Sequence, residues 1–386
     1  MKKNIGIIYN TENNYNEEDV NGACGGSETW VIQLSKELTL LGYNVLVFRN
    51  GSWNMSPKNV EYVPLSLFDN KIQSMMFECF IFSANIDDEL YDKIINSKCT
   101  KNIYVQAHEV MIWQNGLYRE MFNYMSNEKK YCNITKFIAL SDFHKNMLHK
   151  NCDIPLDKIE IIGNGVDTPY FYKVDTEKGD INENIEHTIL WTSCFGRGAD
   201  ILIDDVLPIV KKQIPDFKVR VCGYVDVVDD KYKNNPDVEI LGFKLPKEQY
   251  YNELRKCACY FYPCVTGETF NISALDAVVN NCTVVSPLLH GLNHTFKPFL
   301  PFAMRYKFGT GDVGDRKYDY GTYKTDKSST EYKKACVEAA EKIIDSVNNY
   351  YDYKNIQIRK SLKNYILQEY TWENIAKKWR NMLNNH

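Results

Sequence analysis

The chain has 386 residues, of which 44% are apolar and 25% charged, with a net charge of −4 and an isoelectric point near 6.0. That length suits two domains, and the balance excludes both a disordered chain and a membrane bundle. A mildly acidic chain offers no basic face, so no nucleic-acid partner is expected.

The apolar stretch Ile5-Gly6-Ile7-Ile8-Tyr9 is too short for a signal-peptide core or a membrane span. No other run reaches spanning length, so a cytoplasmic protein is expected, with peripheral contact at the inner face of a membrane left open. The 12 cysteines are scattered, and the closest spacing is Cys257-Ala258-Cys259. Buried reduced thiols fit this pattern better than a zinc site or a disulfide framework.

Short runs rich in Val, Ile and Phe alternate with longer amphipathic stretches, the mark of a parallel sheet wrapped by helices. The first half offers strands at Ile5–Tyr9, Val45–Phe48, Phe77–Ser83, Ile103–Gln106, Phe137–Leu140 and Ile159–Ile162. A helix over Ser27–Leu41 would carry Trp30, Val31, Leu34, Leu38 and Leu41 on one stripe and end at Gly42. Ser141 is a good N-cap for another helix. Asn164-Gly165-Val166-Asp167 reads as turn punctuation, and the polar stretch Lys173–Glu186 as the linker region.

The pattern then restarts. Strands are expected at Thr188–Thr192, Lys218–Cys222, Val238–Leu241, Cys259–Tyr262 and Thr283–Ser286, and helices at Ala199–Gln213, Lys247–Lys256 and Ile272–Asn280. Pro287–Ser329 loses periodicity and reads as loops. Helices near Glu331–Tyr350, Asn355–Glu369 and Trp372–Leu383 follow, the last capped by Thr371. The fold class is therefore α/β, with two Rossmann-like halves. Residues 1–168 form the first domain, joined by a terminal helix over residues 371–386, and residues 169–370 form the second.

The segment from Pro263 to Ala277 carries the strongest chemical signal. It runs from the end of a strand through a loop into a helix, and the carboxyl edge of a parallel sheet is where such folds bind ligands. Amides at a helix start suit a phosphate. Glu268 in the loop can reach sugar hydroxyls, and Asp276, one turn inside the helix, can grip a ribose diol. A solvated loop acid and an ordinary helix acid form the competing reading.

Thr192-Ser193-Cys194-Phe195-Gly196-Arg197-Gly198 is a second strand-to-helix loop, now with a cation able to steady a departing diphosphate. Taken alone, it reads sooner as a surface arginine in a Gly-Arg-Gly turn. Cys24-Gly25-Gly26-Ser27-Glu28 precedes the first long helix and would let backbone approach a ligand closely, though a bare turn reads the same. It is not the Gly-x-Gly-x-x-Gly dinucleotide fingerprint, which disfavours a dehydrogenase. His108, after a predicted strand, is either a packed histidine or one that orients a hydroxyl. Asp226, Asp229 and Asp230 read as a solvated turn beside Lys231 and Lys233 rather than a metal site.

Taken in order, these pieces resemble the family-four retaining glycosyltransferases of the GT-B fold, two Rossmann-like domains facing across a cleft. The resemblance covers nearly the whole chain. Gly25-Gly26-Ser27-Glu28 is similar to the family's glycine loop, and Ile161 to Asp167 followed by Phe171 to its Asn-Gly-Val-Asp linker. Val238 to Phe243 resembles its second donor strand, Glu268 to Asp276 its pair of acids separated by seven residues, and Trp372 to Ala376 its terminal crossing helix.

The resemblance implies a hexose-type transfer with retention from a nucleotide diphosphate sugar to a hydroxyl of a glycan, lipid-linked or protein-linked acceptor. A UDP-sugar is the expected donor, and no cofactor or metal is implied. Glu268, Arg197 and His108 would serve catalysis: Glu268 holding the sugar, Arg197 facing the diphosphate, His108 beside the transferring sugar. Gly26, Tyr224, Leu245, Thr269, Phe270, Asn271, Ile272 and Asp276 would join Arg197 and Glu268 in binding the donor, through backbone for 269–272. Two departures stand out. The second acid is Asp276 rather than Glu, and only one of two expected cations is present, with Lys244 or Lys247 able to supply the other. These departures keep a sugar-nucleotide epimerase, a phosphorylase and a non-catalytic GT-B binding module open as alternatives.

Overall fold

The structure, a computed structural model, describes residues 2–10, 24–115, 120–167, 182–223, 228, 230–243, 245–309 and 325–385. An eight-stranded sheet organises the first half. Its strand order is Ile159–Ile161, Ile134–Ala139, Ile103–Gln106, Cys79–Ser83, Asn4–Ile8, Asn44–Arg49, Glu61–Pro64 and Asn54–Met55. All neighbours run parallel except the last pair, in which Asn54 faces Tyr62. Central strands such as Cys79–Ser83 are buried along their whole length, as expected when helices cover both faces.

The second half repeats the theme on a smaller scale. Thr188–Trp191, Lys218–Val221 and Val238–Ile240 form one parallel sheet, and Cys259–Phe261 pairs in parallel with Thr283–Val285. The second set lies beside the strand Thr188–Trp191, so the five strands form one layer.

Several sequence expectations meet their elements closely. The first helix covers Gly26–Leu40 and buries Trp30, Val31, Leu34 and Leu38. Ser141 caps the helix Asp142–Cys152, its side chain accepting the His144 amide. Thr371 caps Trp372–Asn384 in the same way through Asn374.

Two expectations change. The helix expected over Ala199–Gln213 is instead a wide π-type stretch over Ile201–Val206 followed by an α-turn over Leu207–Val210. Pro208 has no amide to donate and its ring crowds the preceding carbonyls, so widened turns ahead of it relieve the conflict. The loops expected from Pro287 to Ser329 contain a short helix, Gly291–Thr295, and a 3-10 stretch, Lys297–Phe302. Pro298 and Pro301 mask any helical period there. Residues 310–324 lie outside the described residues, as does most of the expected linker, 168–181.

The chain crosses between the halves along two adjacent paths. The Val166 amide donates to the Tyr370 carbonyl at 2.7 Å, and Val166 bridges Thr371 in parallel. Gly165 lies beneath Trp372, where a Cβ would sit 2.6 Å from the indole. The terminal helix then packs on Gly26–Leu40. Trp379 meets Trp30 edge-on at 5.7 Å and Tyr104 at 6.2 Å, and all three rings are fully buried.

This packing makes a stability test direct. Trp379→Ala empties a closed aromatic cluster and is expected to destabilise the protein by about 3–5 kcal/mol, read by denaturant unfolding. A loss below about 1 kcal/mol would mean that the terminal helix does not anchor the first half.

Candidate active site

The carboxyl ends of both parallel sheets open on one cavity of about 530 Å³. From the first half, the loops after Ile8, Gln106, Ala139 and Ile161 bring Gly26, Glu28, His108, Leu140 and Asn164 to its wall. From the second half, the loops after Trp191 and Phe261 bring Arg197 and the whole segment from Glu268 to Ser273. Each βα loop leaves its sheet at the carboxyl edge, so the two halves bring these six loops around one space.

The bend from Thr269 to Asn271 is pinned across the cleft. Ser141 Oγ donates to the Thr269 carbonyl at 2.8 Å, and Thr269 Oγ1 donates to the His108 carbonyl at 2.9 Å. Asn271 adopts φ +70°, a left-handed conformation that Asn tolerates, and its side chain accepts the Ala274 amide at 2.9 Å. The helix Ile272–Val279 therefore begins inside the cavity. The helix Gly26–Leu40 begins opposite, and a Cβ on Gly26 would lie 3.6 Å from Ile272 Cδ1. Two helix starts thus face one space, each a source of partial positive charge.

Phe270 turns its ring away from this space. It is buried against Tyr370, with centroids 5.6 Å apart, and against Gly163, where a Cβ would come within 2.5 Å of the ring. The ring wedges the bend in place and leaves the backbone to line the site.

Glu268 and Arg197 are joined. Arg197 Nη1 donates to Glu268 Oε2 at 2.9 Å, and Tyr262 Oη donates to the same oxygen at 3.0 Å. Gly198, at φ +107°, ends the short turn that carries the arginine. The sequence marks Tyr262 only as a strand end, and its hydroxyl is what aims Glu268.

His108 lies half-buried on the opposite wall. Its Nε2 is 3.1 Å from Ser83 Oγ, and its ring meets Trp30 edge-on at 5.4 Å. Burial, then the neighbouring His144, push its pKa down to about 3. His144 accepts the Leu140 amide at Nδ1, so Nε2 carries the proton and donates to the Glu109 carbonyl at 2.6 Å. Burial pushes His144 down to about 4. Both imidazoles are neutral at physiological pH.

Asp276 is buried on the cavity wall, accepting from Tyr251 Oη at 3.0 Å. Lys247 Nζ stands 3.7 Å from Asp276 Oδ2 and 3.8 Å from Asp167 Oδ2. Burial raises the Asp276 pKa, Lys247 opposes that, and Asp167 adds to it. Lys247 is thus the second cation on the wall, while Thr192 and Ser193 line the place where the resemblance expects one.

Of the residues singled out in the sequence, Gly26, His108, Arg197, Leu245, Glu268, Thr269, Phe270, Asn271, Ile272 and Asp276 all line this cavity. Tyr224, Lys244 and Phe171 lie outside the described residues, as do Asp226 and Asp229. Asp230 pairs with Lys233 at 2.8 Å, and among the described residues no group of three or more His, Cys, Asp or Glu side chains is arranged to hold a metal.

No protein-family profile matches the chain, and no curated protein is similar to it in sequence. Solved structures are similar in fold. A glycosyltransferase from Rickettsia africae superposes over 100% of this chain and 98% of its own, with TM-score 0.61 and 14% identity. The chain has the GT-B fold. HepE of Anabaena, solved in complex with UDP and glucose, matches over 99% of both chains with TM-score 0.60 and 11% identity. The α,α-trehalose 6-phosphate synthase of Burkholderia multivorans matches over 100% of this chain and 99% of its own, with TM-score 0.60 and 8% identity. In this fold the cavity described above occupies the cleft between the two Rossmann-like layers, and no described helix is long and apolar enough to cross a membrane.

The histidines give a test of the wall's electrostatics. Their folded values lie below the ordinary value near 6.5. The unfolded chain therefore binds protons first as pH falls, and the stability these groups contribute above about pH 6.5 is lost progressively below it. Ring resonances of His108 and His144 are expected to stay in the neutral form from pH 8 to pH 5 by NMR. A midpoint near 6.5 for either would contradict the desolvated setting.

Proposed function

We propose that this protein is a glycosyltransferase that moves a hexose-type sugar from a nucleotide diphosphate sugar to an acceptor hydroxyl. The observation that carries the reading is the convergence, in one cleft, of two helix starts, the Arg197 guanidinium and the carboxylates of Glu268 and Asp276. That set matches the parts of such a donor. Backbone amides and a guanidinium suit a diphosphate, a loop carboxylate suits sugar hydroxyls, and a buried carboxylate suits a ribose diol. Full-length likeness to glycosyltransferases, one of them solved with UDP and glucose, supports the same class and makes a UDP-sugar the expected donor.

The second half binds the donor and the first half presents the acceptor, a glycan, lipid-linked or protein-linked hydroxyl. In the retaining course the acceptor oxygen bonds to the anomeric carbon on the face from which the diphosphate oxygen departs. The acceptor proton passes to a phosphate oxygen. Arg197 and the start of the helix at Ile272 stabilise the charge that builds on the leaving group, with no metal required of the protein. The neutral His108 orients a sugar hydroxyl without adding charge. Enclosure between the halves limits donor hydrolysis.

An epimerase or phosphorylase on the same fold would act on the donor without an acceptor, or with free phosphate, and a binding module would turn nothing over. Thermal shift with nucleotide sugars separates these readings. A donor held at ten times its dissociation constant is expected to stabilise the protein by about 1.4 kcal/mol. Glu268→Ala is then expected to lower transfer at least about a hundredfold while the melting transition stays cooperative. Unchanged turnover in that variant would refute the role of Glu268. An inverted product anomer by NMR would refute retention.

A further inference from the structure

Lys247 occupies a position that the donor-site reading alone does not explain. It opens the helix Lys247–Arg255 and lies on the cavity wall, yet its ammonium faces two buried carboxylates rather than the helix starts alone. Asp167 and Asp276 are each only 4% exposed. They come from different halves: Asp167 stands where the chain leaves the first sheet, and Asp276 lies on the second-half helix that opens into the cleft.

Two carboxylates sharing a buried site cannot both stay charged without a counter-charge. A protonated Asp276 would spend one oxygen as a hydroxyl and lose acceptor capacity for a hydroxyl pair. Tyr251 already donates to Oδ1 at 3.0 Å. Oδ2 meets Lys247 at 3.7 Å, an ionic contact longer than a hydrogen bond. The lysine therefore supplies charge to Asp276 through a contact that takes up no full hydrogen bond at Oδ2. The aspartate side chain is also one methylene shorter than glutamate, so it has less freedom to reach a diol and depends more on being held in place.

We propose that Lys247 positions Asp276 for the ribose diol of the donor, offsetting the charge of Asp167. The inference rests on the donor-site reading above and adds a residue to it. Lys247 is a positioning residue here, acting on the nucleotide through Asp276 rather than through the diphosphate.

A ligand-paired binding experiment tests it. Calorimetry is run on the full chain with whichever of UDP, GDP and ADP stabilises it most, and with the 2′,3′-dideoxy form of that nucleotide. Wild-type protein is expected to prefer the diol-bearing form. Lys247→Met is expected to weaken that form about tenfold while changing the dideoxy form less than about twofold. Lys247→Arg, which keeps the charge, is expected to retain the preference. Equal losses for both nucleotides in Lys247→Met would overturn the proposal, because they would place the lysine on the diphosphate or in folding. Loss of the preference in a folded Lys247→Arg would also overturn it, and that variant carries the test if Lys247→Met does not fold. Failure of wild-type protein to bind any of the three nucleotides would instead overturn the donor-site reading, and this inference with it.

Discussion

The bend at Thr269-Phe270-Asn271 is held by the opposite half of the molecule. Its carbonyl takes the Ser141 hydroxyl, its own hydroxyl reaches the His108 carbonyl, and its phenylalanine ring is wedged between Gly163 and Tyr370. Because these contacts fix the bend, Asn271 can sit at a positive φ and start a helix inside the cleft. Remove them, and the amides at the head of that helix, the Glu268 side chain and the Asp276 carboxylate lose a common frame. The residues that pin the bend come from 128 and 161 positions away in sequence, so the site exists only when both halves are folded and closed on each other.

Charge in the cleft is arranged in matched groups. Arg197 and Glu268 satisfy each other, with Tyr262 steadying the shared oxygen. Lys247 stands between Asp167 and Asp276. The histidines are kept neutral by burial, so they add no charge to the wall opposite the guanidinium. This is a site in which each carboxylate is oriented before a ligand arrives, and such preorganisation is the usual source of electrostatic stabilisation in transfer reactions. A partly exposed arginine–carboxylate contact would be a poor device for stability alone, since solvent screens much of the attraction.

Much of the fold was legible in the sequence for simple reasons. Strands buried on both faces carry unbroken apolar runs, such as Cys79–Phe82 and Val45–Phe48, and no polar alternation disguises them. Caps at Ser141 and Thr371 are local chemistry, readable from one residue and its neighbours. The helix around Pro208 and the short helix at Gly291–Thr295 were not legible. The first depends on how a proline is accommodated by widened turns, and the second is too short to show a period. At the site, Glu268 and Arg197 stand in strand-to-helix loops and Asp276 in the helix that follows one of them, and all could be found by that placement. The Tyr262 contact, the His144 tautomer and the position of Lys247 between two acids depend on contacts that no spacing encodes.

The proposed transfer requires a diphosphate between the Arg197 guanidinium and the amides at the start of the helix Ile272–Val279. A crystal structure of the chain with UDP tests it most directly. The expected result places phosphate oxygens within about 2.7–3.2 Å of the Arg197 guanidinium and of the Ile272 or Ser273 amide. UDP bound outside the interdomain cleft, or bound in it with Arg197 turned away from both phosphates, would contradict the claim.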